Sequence, residues 1–298
     1  MTLKEKIESN RFIVCGDIGP PQSCDGDVVR EKARHFKGYV DAVNITDNQT
    51  AIVRLSSIAS AKILLDEGVE PIMQMTCRDR NRLAIQSDLL GAAALDILNV
   101  LCLTGDHQKF GDQPEAKGVF DLDSIQLIAT VSQMNRGFLL SGYEMKKAPR
   151  FLIGAAANPF AQPFDMRIIR LQKKIEAGAQ FIQTQPVFDL VSFTRWMERV
   201  VALGLHERTA ILAGVMPVKS PKTFLWMKEE VPGVKIKDEY VERMRLARDP
   251  EEEGVRMAVE IIQALRGVKG VRGIHLMPVL WESITPAVIR EAGLKERG

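Results

Sequence analysis

The feature that most constrains the fold is a repeated alternation of short apolar runs with longer amphipathic runs along the 298-residue chain. The short runs are rich in β-branched and small apolar residues, and their lengths suit buried strands. Eight such runs occur, at 12–16, 41–46, 71–76, 97–104, 150–157, 180–185, 210–216 and 273–279. Strands that alternate with helices predict a parallel sheet, because the helix is the crossover that returns the chain.

The longer runs show helical spacing, and two of them also carry end signals. The first, over 51–66, carries an apolar stripe of Ile52, Leu55, Ala59 and Ile63 and is followed by Gly68. The second, over 165–177, carries the stripe Ile168, Leu171 and Ile175 between a predicted N-cap at Asp165 and a terminating Gly178. Both patterns are typical of helices with one buried face.

Eight strand–helix units predict a closed (β/α)8 TIM barrel that forms a single domain over residues 1–298. Extra helical material, at about 220–267, precedes the last strand, and its charged run RDPEEEG indicates a solvated helix start. An open doubly wound sheet is the alternative. It is less favoured because no GxGxxG follows the first strand.

Composition excludes several classes of function. Forty basic and 38 acidic residues leave a net charge of +2, which argues against a nucleic-acid or membrane-surface binder. The four cysteines and four histidines are scattered, so no protein-bound metal is predicted. The first residues are polar and no apolar run approaches the ~18 residues of a membrane helix. We therefore expect a cytoplasmic protein with reduced thiols.

In a barrel of this kind the active site lies at the carboxyl ends of the strands. Asp17 ends an apolar first strand, where a turn residue and a catalytic acid are both reasonable interpretations. Asp106 begins a loop of roughly twenty residues, a length typical of binding loops, although an ordinary turn after Gly105 explains it equally well. Gln183 and Gln185 alternate on the sixth strand, and their amides need partners: a heterocycle edge or neighbouring backbone.

Basic residues follow the fifth strand. Arg167, Arg170, Lys173 and Lys174 lie on the predicted helix 165–177. A solvated basic face is the simpler interpretation, and the alternative is that some of them reach a ligand phosphate.

Several segments together resemble 5,10-methylenetetrahydrofolate reductases. They are NIT at 44–46, LTGD at 103–106, KKIEAGAQFIQTQPVFD at 173–189 and ILAGVMPVKSPK at 211–222. The resemblance runs in order through nearly the whole chain. VNITDNQ and MTCRDRNR are most similar to the short bacterial forms of one-carbon-metabolising anaerobes, in which the reductase is often paired with an iron–sulfur subunit.

The resemblance implies a barrel that uses FMN to reduce methylenetetrahydrofolate to 5-methyltetrahydrofolate. In this chemistry an acid protonates N10, the five-membered ring opens to a 5-iminium cation, and reduced flavin delivers hydride. The resemblance places Asp17 at the acid, Asp106 at the charge that stabilises the cation and positions the pterin, and Gln185 at pterin recognition. Gln183, which alternates with Gln185, is a further candidate for substrate binding. NAD(P)H or a reduced partner subunit would supply the electrons.

Flavin-binding positions are also implied by the resemblance: Thr46, Gln74, Asn158, Gln162, Arg167, Arg170 and Lys174. Three departures from the family pattern stand out. Asp17 is one methylene shorter than the family glutamate, and Gln74 replaces a histidine. Pro221 replaces a phenylalanine that shields substrate and nicotinamide, which favours electron delivery by a partner protein.

Two alternatives stay open. The first is a reductase-like barrel that binds a folate or a partner protein without flavin turnover, as the shortened acid and the altered flavin contacts suggest. The second is a pterin-dependent methyltransferase on the same fold. For the reductase the resemblance implies a tetrahydrofolate substrate, and we expect an oligomer of identical or different subunits.

Overall fold

The computed structural model describes residues 1–230 and 236–294; residues 231–235 of the predicted helical stretch and 295–298 of the predicted domain lie outside the described residues. Eight parallel strands close into a barrel in sequence order. They are β1 Ile13–Ile18, β2 Ala42–Ile45, β3 Pro71–Thr76, β4 Asn99–Leu103, β5 Leu152–Ala157, β6 Phe181–Pro186, β7 Ala210–Val215 and β8 Val271–Leu276. The predicted (β/α)8 barrel is therefore confirmed, and each strand end lies within three residues of its predicted position.

Helices surround the barrel. They are α1 Leu3–Glu8, α2 Asp27–Arg34, α3 Ser57–Asp66, α4 Arg82–Ala94, α5 Ser124–Asn135, α6 Phe164–Ala177, α7 Leu190–Ala202, α8 Leu205–Arg208, α9 Pro221–Glu230, α10 Asp238–Leu246, α11 Pro250–Arg266 and α12 Thr285–Glu291. The extra helical material predicted before the last strand is confirmed as α9, α10 and α11. Over 1–230 and 236–294, no helix is both long and apolar enough to cross a membrane.

The first helix predicted from periodicity is wrong at its start. Residues 49–51 form a short 3₁₀ turn, and α3 begins only at Ser57 because the Ser56 side chain caps it by accepting from the Ala59 N–H. Of the predicted stripe, Leu55 and Ile63 pack half-buried against the core, but Ala59 is exposed. The buried residues of α3 are Ser57, Ser60, Ala61 and Leu64.

The second predicted helix needs a smaller correction. α6 starts at Phe164 after Pro163, so Asp165 lies in the first turn and is not the N-cap. Its carboxylate is still well placed there, since negative charge is favourable at a helix N-terminus. The predicted stripe of Ile168, Leu171 and Ile175 is buried, and the helix ends at Gly178 with φ +120°.

Two apolar cores hold the fold. The larger lies between the sheet and the helices. The smaller fills the barrel interior with Leu3, Ile13, Cys15, Ala42, Ile72, Leu101, Leu152, Phe181, Ala210 and Leu212. Leu3 enters from α1, whose first N–H donates to the Glu70 carboxylate at 3.0 and 2.9 Å. Helix α1 therefore closes the amino end of the barrel.

The inward-facing side chains are apolar at the amino ends of several strands and polar toward their carboxyl ends. Residues two apart on a strand face the same side of a sheet. Asp17 thus follows Cys15, Asn44 follows Ala42, and Gln183 follows Phe181 on the inward face. The apolar interior forms a floor beneath these three polar side chains.

Gly154 provides a test of how tightly this floor is packed. A Cβ added there would lie 2.1 Å from Cζ of Phe181, a ring with no solvent exposure. Overpacking of this kind costs about 1–3 kcal/mol. We expect Gly154→Ala to lower the free energy of unfolding by that amount in chemical denaturation.

Gly91→Ala is the matched control, because a Cβ at this exposed position in α4 meets no atom within 4 Å. This substitution removes a helix-interior glycine and should stabilise the protein by about 0.5–1 kcal/mol. Equal stability of the two variants would contradict the packing described for the barrel floor.

Candidate active site

A polar layer lies directly above the apolar floor. Asp17 on β1 is the register partner of Asn44 on β2, and His275 on β8 pairs with Cys15. The Asp17 Oδ1 atom is 3.7 Å from Nε2 of His275, and the Asn44 amide donates to the Gly16 carbonyl at 3.0 Å. Burial raises the pKa of the Cys15 thiol well above its usual range, so this neighbour stays neutral.

The polar layer holds many buried atoms that make no hydrogen bond to the described residues. They are Oδ1 of Asp17, Oδ1 of Asn44, Oγ1 of Thr46, both amide atoms of Gln183 and both ring nitrogens of His275. A buried polar atom without a partner costs about 1–3 kcal/mol, and native proteins contain few of them. Their concentration in one place indicates a site for a ligand with both donors and acceptors.

Two cavities open at the carboxyl ends of the strands. One, of about 270 Å³, is lined at the ends of β3, β4 and β6 by Gln74, Asp106 and Gln185. The other, of about 210 Å³, is lined by Asn158 and by the basic residues of α6. The exposed Gln185 side chain lines both, so the two cavities adjoin at the mouth of the barrel.

The second cavity is strongly cationic. Arg167, Arg170 and Lys174 line it, and no carboxylate occurs among the described residues of its wall. Lys174 donates to the Ala156 carbonyl at 2.5 Å, and Arg167 donates to the Gln162 carbonyl at 2.8 Å. Burial, together with the charge of Arg170, lowers the pKa of Lys174 to about 8. Guanidinium and ammonium groups in this arrangement suit a phosphate.

Asp47 shows that a polar residue at the mouth need not face a ligand. Its buried carboxylate accepts from the Thr76 N–H and hydroxyl, both at 2.8 Å, and from Arg80 at 2.7 Å. These bonds tie the end of β2 to the end of β3. The role of Asp47 is therefore to hold two mouth loops together.

The structure distributes the predicted site residues over three adjacent places. Asp17, Thr46 and Gln183 lie in the polar layer; Gln74, Asp106 and Gln185 line the first cavity; Asn158, Arg167, Arg170 and Lys174 line the second. Gln162 is set apart. Its side chain is exposed, and its carbonyl is the atom that bonds Arg167.

Sequence reasoning did not single out His275 or Asn44. The signal for His275 was available, because it alternates with Gly273 and Met277 on the last predicted strand, and an inward histidine above an apolar floor is unusual. Asn44 lay inside a recognised motif, but its neighbour Thr46 has the more evident position at the strand end. Neither residue was expected to lie beside Asp17, because Asn44 and His275 belong to other strands than Asp17.

The fold and the site define a class: a (β/α)8 barrel whose ligand site, with a cationic cavity, lies at the carboxyl ends of its strands. Residues 2–293 match the family model described as methylenetetrahydrofolate reductase. The chain therefore belongs to the methylenetetrahydrofolate reductase family.

Relatives differ in how much of their length the chain spans. It is 27% identical over 240 residues to methylenetetrahydrofolate reductase 1 of Schizosaccharomyces pombe, covering 78% of this chain but 37% of that protein. It is 24% identical over 236 residues to 5,10-methylenetetrahydrofolate reductase of Pectobacterium carotovorum, covering 76% of this chain and 71% of that one. The chain thus spans well under half of the fungal relative.

A solved structure shares the fold. It is described as an uncharacterized protein from Clostridium thermocellum that binds two copies of 5-methyl-5,6,7,8-tetrahydrofolic acid. The TM-score is 0.68 at 16% identity, with 97% of each chain covered. At this identity the likeness establishes the fold alone.

The cationic cavity predicts a pH-dependent affinity for phosphate. Lys174 is charged below its pKa of about 8 and neutral above it, so anion binding should be strongest below about pH 8. From about pH 7 to about pH 9.5 we expect the affinity to fall by up to about thirtyfold, the change in the charged fraction. Calorimetric titration with FMN or inorganic phosphate measures this.

Lys174→Arg is the matched control, since arginine stays charged throughout this range. Its anion affinity should change little with pH. A wild-type affinity as flat as that of Lys174→Arg would show that Lys174 does not face the bound anion.

Proposed function

We propose that this chain reduces 5,10-methylenetetrahydrofolate to 5-methyltetrahydrofolate with hydride from reduced FMN, and that Asp17 is the acid that assists ring opening. Membership of the methylenetetrahydrofolate reductase family supports the reaction in general. The observation that carries the proposal is the unpartnered polar layer. The layer contains a carboxyl group, two amides and an imidazole, and two cavities, one of them cationic, open at the same carboxyl ends of the strands.

The residues at the mouth fit FMN. Arg167, Arg170 and Lys174 would hold its phosphate, and Arg167 Nε is a buried donor without a partner among the described residues. The adjoining cavity, with Gln74 and Gln185 in its wall, offers amide donors and acceptors to a heterocycle. When bound, FMN supplies the hydride that reduces the folate carbon.

Asp17 is suited to deliver a proton. Its side chain is 16% exposed, so it lies at the boundary between the dry interior and the open mouth. Transfer of its proton to N10 allows the bond between N10 and the bridging carbon to break, and the positive charge moves to the 5-iminium group. His275, 3.7 Å from Asp17, is close enough to stabilise the resulting carboxylate and to return a proton.

The remaining predicted residues bind and orient the substrate. The buried Gln183 amide contacts the Cys15 thiol and carries both a donor and an acceptor, the pattern needed to read the donor–acceptor edge of a pterin. Asp106 lines the mouth and carries a negative charge that favours the iminium cation. In this proposal Gln183 recognises the pterin and Asp106 stabilises the cation.

The electron donor is either NAD(P)H or a reduced partner subunit. Among the relatives, a rice protein is named as probable methylenetetrahydrofolate reductase (NADH). In this chain Pro221 begins α9, which follows β7, and the resemblance implies a shielding aromatic ring at this position in the family. An iron–sulfur partner that reduces the flavin directly would not need that ring.

A folate-binding protein without flavin turnover is the second candidate. The observation that favours it is the solved neighbour, which is described as binding two copies of 5-methyltetrahydrofolic acid. The absorption spectrum of the purified chain, reconstituted with FMN, separates the two candidates. Flavin bands that bleach with a donor and recover with methylenetetrahydrofolate are expected, whereas folate binding by calorimetry without retained flavin would support the second candidate.

Asp17→Asn tests the acid. Asparagine keeps the size and removes the proton, so folate reduction should fall by about 10²–10⁴-fold, the usual contribution of a positioned acid. Reduction of bound flavin by its donor should stay within about twofold, since no acid is needed there. The two half-reactions are measured separately by stopped-flow absorbance.

Asp96→Asn is the control, because this exposed aspartate precedes β4 at the opposite end of the barrel. Both half-reactions should be unchanged in it. Equal losses in the two half-reactions of Asp17→Asn would indicate a structural role for Asp17 and would contradict its assignment as the acid.

A further inference from the structure

Arg78, which follows β3, is a buried charge in the wall of the cavity that Asp106 and Gln185 line, and the proposed reaction gives it no role. Its relative exposure is 2%. Its guanidinium pairs with Asp79 through Nε–Oδ1 at 2.8 Å and Nη2–Oδ2 at 2.7 Å. These bonds to Asp79 raise the pKa of Arg78, so the group stays charged. Burying an ion costs several kcal/mol, and an apolar side chain would avoid that cost. A specific geometric role would account for its presence.

The same residue holds the main chain of two other mouth loops. Nη2 donates to the carbonyl of Asn48, after β2, at 3.1 Å, and Nη1 donates to the carbonyl of Asp106, after β4, at 3.3 Å. The Arg78 carbonyl accepts from the Val119 N–H at 2.7 Å, near the far end of the β4 loop. One residue therefore joins the loops that follow three consecutive strands.

Both anchored carbonyls belong to backbone in uncommon conformations. Asn48, Thr50 and Ala51 have φ values of 45°, 54° and 59°, a left-handed region that costs non-glycine residues roughly 1–2 kcal/mol each. Gly105, directly before Asp106, has φ +92°, and a Cβ there would lie 3.0 Å from Cβ of Arg78. Segments of this kind keep their shape only when their surroundings hold them.

Asp106 depends on this anchoring more than its neighbours do. Its side chain is exposed, and none of the described residues forms a hydrogen bond with its carboxylate. The charge of the Arg78 guanidinium acts on this carboxylate, and the main chain of residues 105 and 106 carries it to the mouth. The Arg78 guanidinium is a direct side-chain anchor of that main chain.

We propose that Arg78 is a positioning residue, which fixes the Asp106 main chain so that the Asp106 carboxylate faces the bound pterin. The inference rests on the proposed function, in which Asp106 contacts the substrate. If Arg78 has a purely structural role, its substitution weakens folate binding by the same factor whether or not Asp106 is present. If Arg78 positions Asp106, the loss of folate affinity in the double variant is smaller than the sum of the two single losses, which a double-mutant cycle detects.

Arg80 provides a matched control two residues along the chain. It is also a largely buried arginine in an ion pair, with Asp47 at 2.7 Å and Asp88 at 2.9 Å, but its side-chain hydrogen bonds go to these two carboxylates. Lysine keeps the charge of either residue but replaces the planar fork with one point donor. Arg78→Lys and Arg80→Lys therefore each remove a planar set of hydrogen-bond donors and keep the positive charge, one at each position.

The experiment measures binding of 5-methyltetrahydrofolate to the full chain by calorimetry, in wild type, Arg78→Lys and Arg80→Lys, each with and without Asp106→Asn. We expect Asp106→Asn to weaken binding by about tenfold in wild type and in Arg80→Lys, the loss of one charged contact. In Arg78→Lys the same substitution should weaken binding by less than about twofold. Arg78→Gln repeats the cycle if the lysine variant does not fold.

Hydrogen exchange of peptides covering 104–123 gives a readout that needs no ligand. These amides should exchange faster in Arg78→Lys than in Arg80→Lys, because only the first loses the anchor. A full tenfold effect of Asp106→Asn in the Arg78 variant, no effect in wild type, or equal exchange in both variants would each overturn the inference. Faster exchange in a chain that binds no folate or flavin would instead overturn the proposed function and leave the anchoring intact.

Discussion

The strict alternation of side chains along closed, parallel strands determines almost everything about this site. Each strand sends every second residue into the barrel, so Ile13, Cys15 and Asp17 form one inward column on β1. Apolar residues at the lower positions make a dry floor. The polar residues above them, Asp17 and His275 among them, are then held at the boundary between the dry interior and the open mouth.

Ion pairs hold the mouth above this boundary. Asp47 with Arg80 joins the ends of β2 and β3, and Arg78 with Asp79 adds the loop after β4. Loops at the mouth of a barrel carry the ligand contacts but have few apolar contacts of their own. Charge-assisted hydrogen bonds therefore tie these loops to one another, as packing ties the strands of the barrel. The cationic cavity beside α6 shows the opposite arrangement. Its described wall contains no carboxylate, so its basic side chains remain available to an anion.

Much of this arrangement could be predicted from local sequence. Eight strand-like runs predicted the barrel, and the position of Asp17, Asp106 and Gln185 at or just beyond the carboxyl ends of their strands predicted the end of the barrel at which they lie. The start of α3 could not be predicted in this way. Helical spacing continues through residues 51–56, but the left-handed turn before Ser56 depends on contacts with the β4 loop, where a Cβ on Gly111 would meet the Ala51 carbonyl at 1.8 Å.

The sequence by itself determined the barrel, the membership of a reductase family and the residues that reach its open end, because strand alternation and motif order are properties of the linear chain. Only the tertiary structure decided which of those residues meet. His275 approaches Asp17 because closure brings β8 beside β1, and Arg78 bonds Asn48 and Asp106 because three strand ends converge. These contacts join residues far apart in sequence, and no local pattern specifies the partner that barrel closure provides.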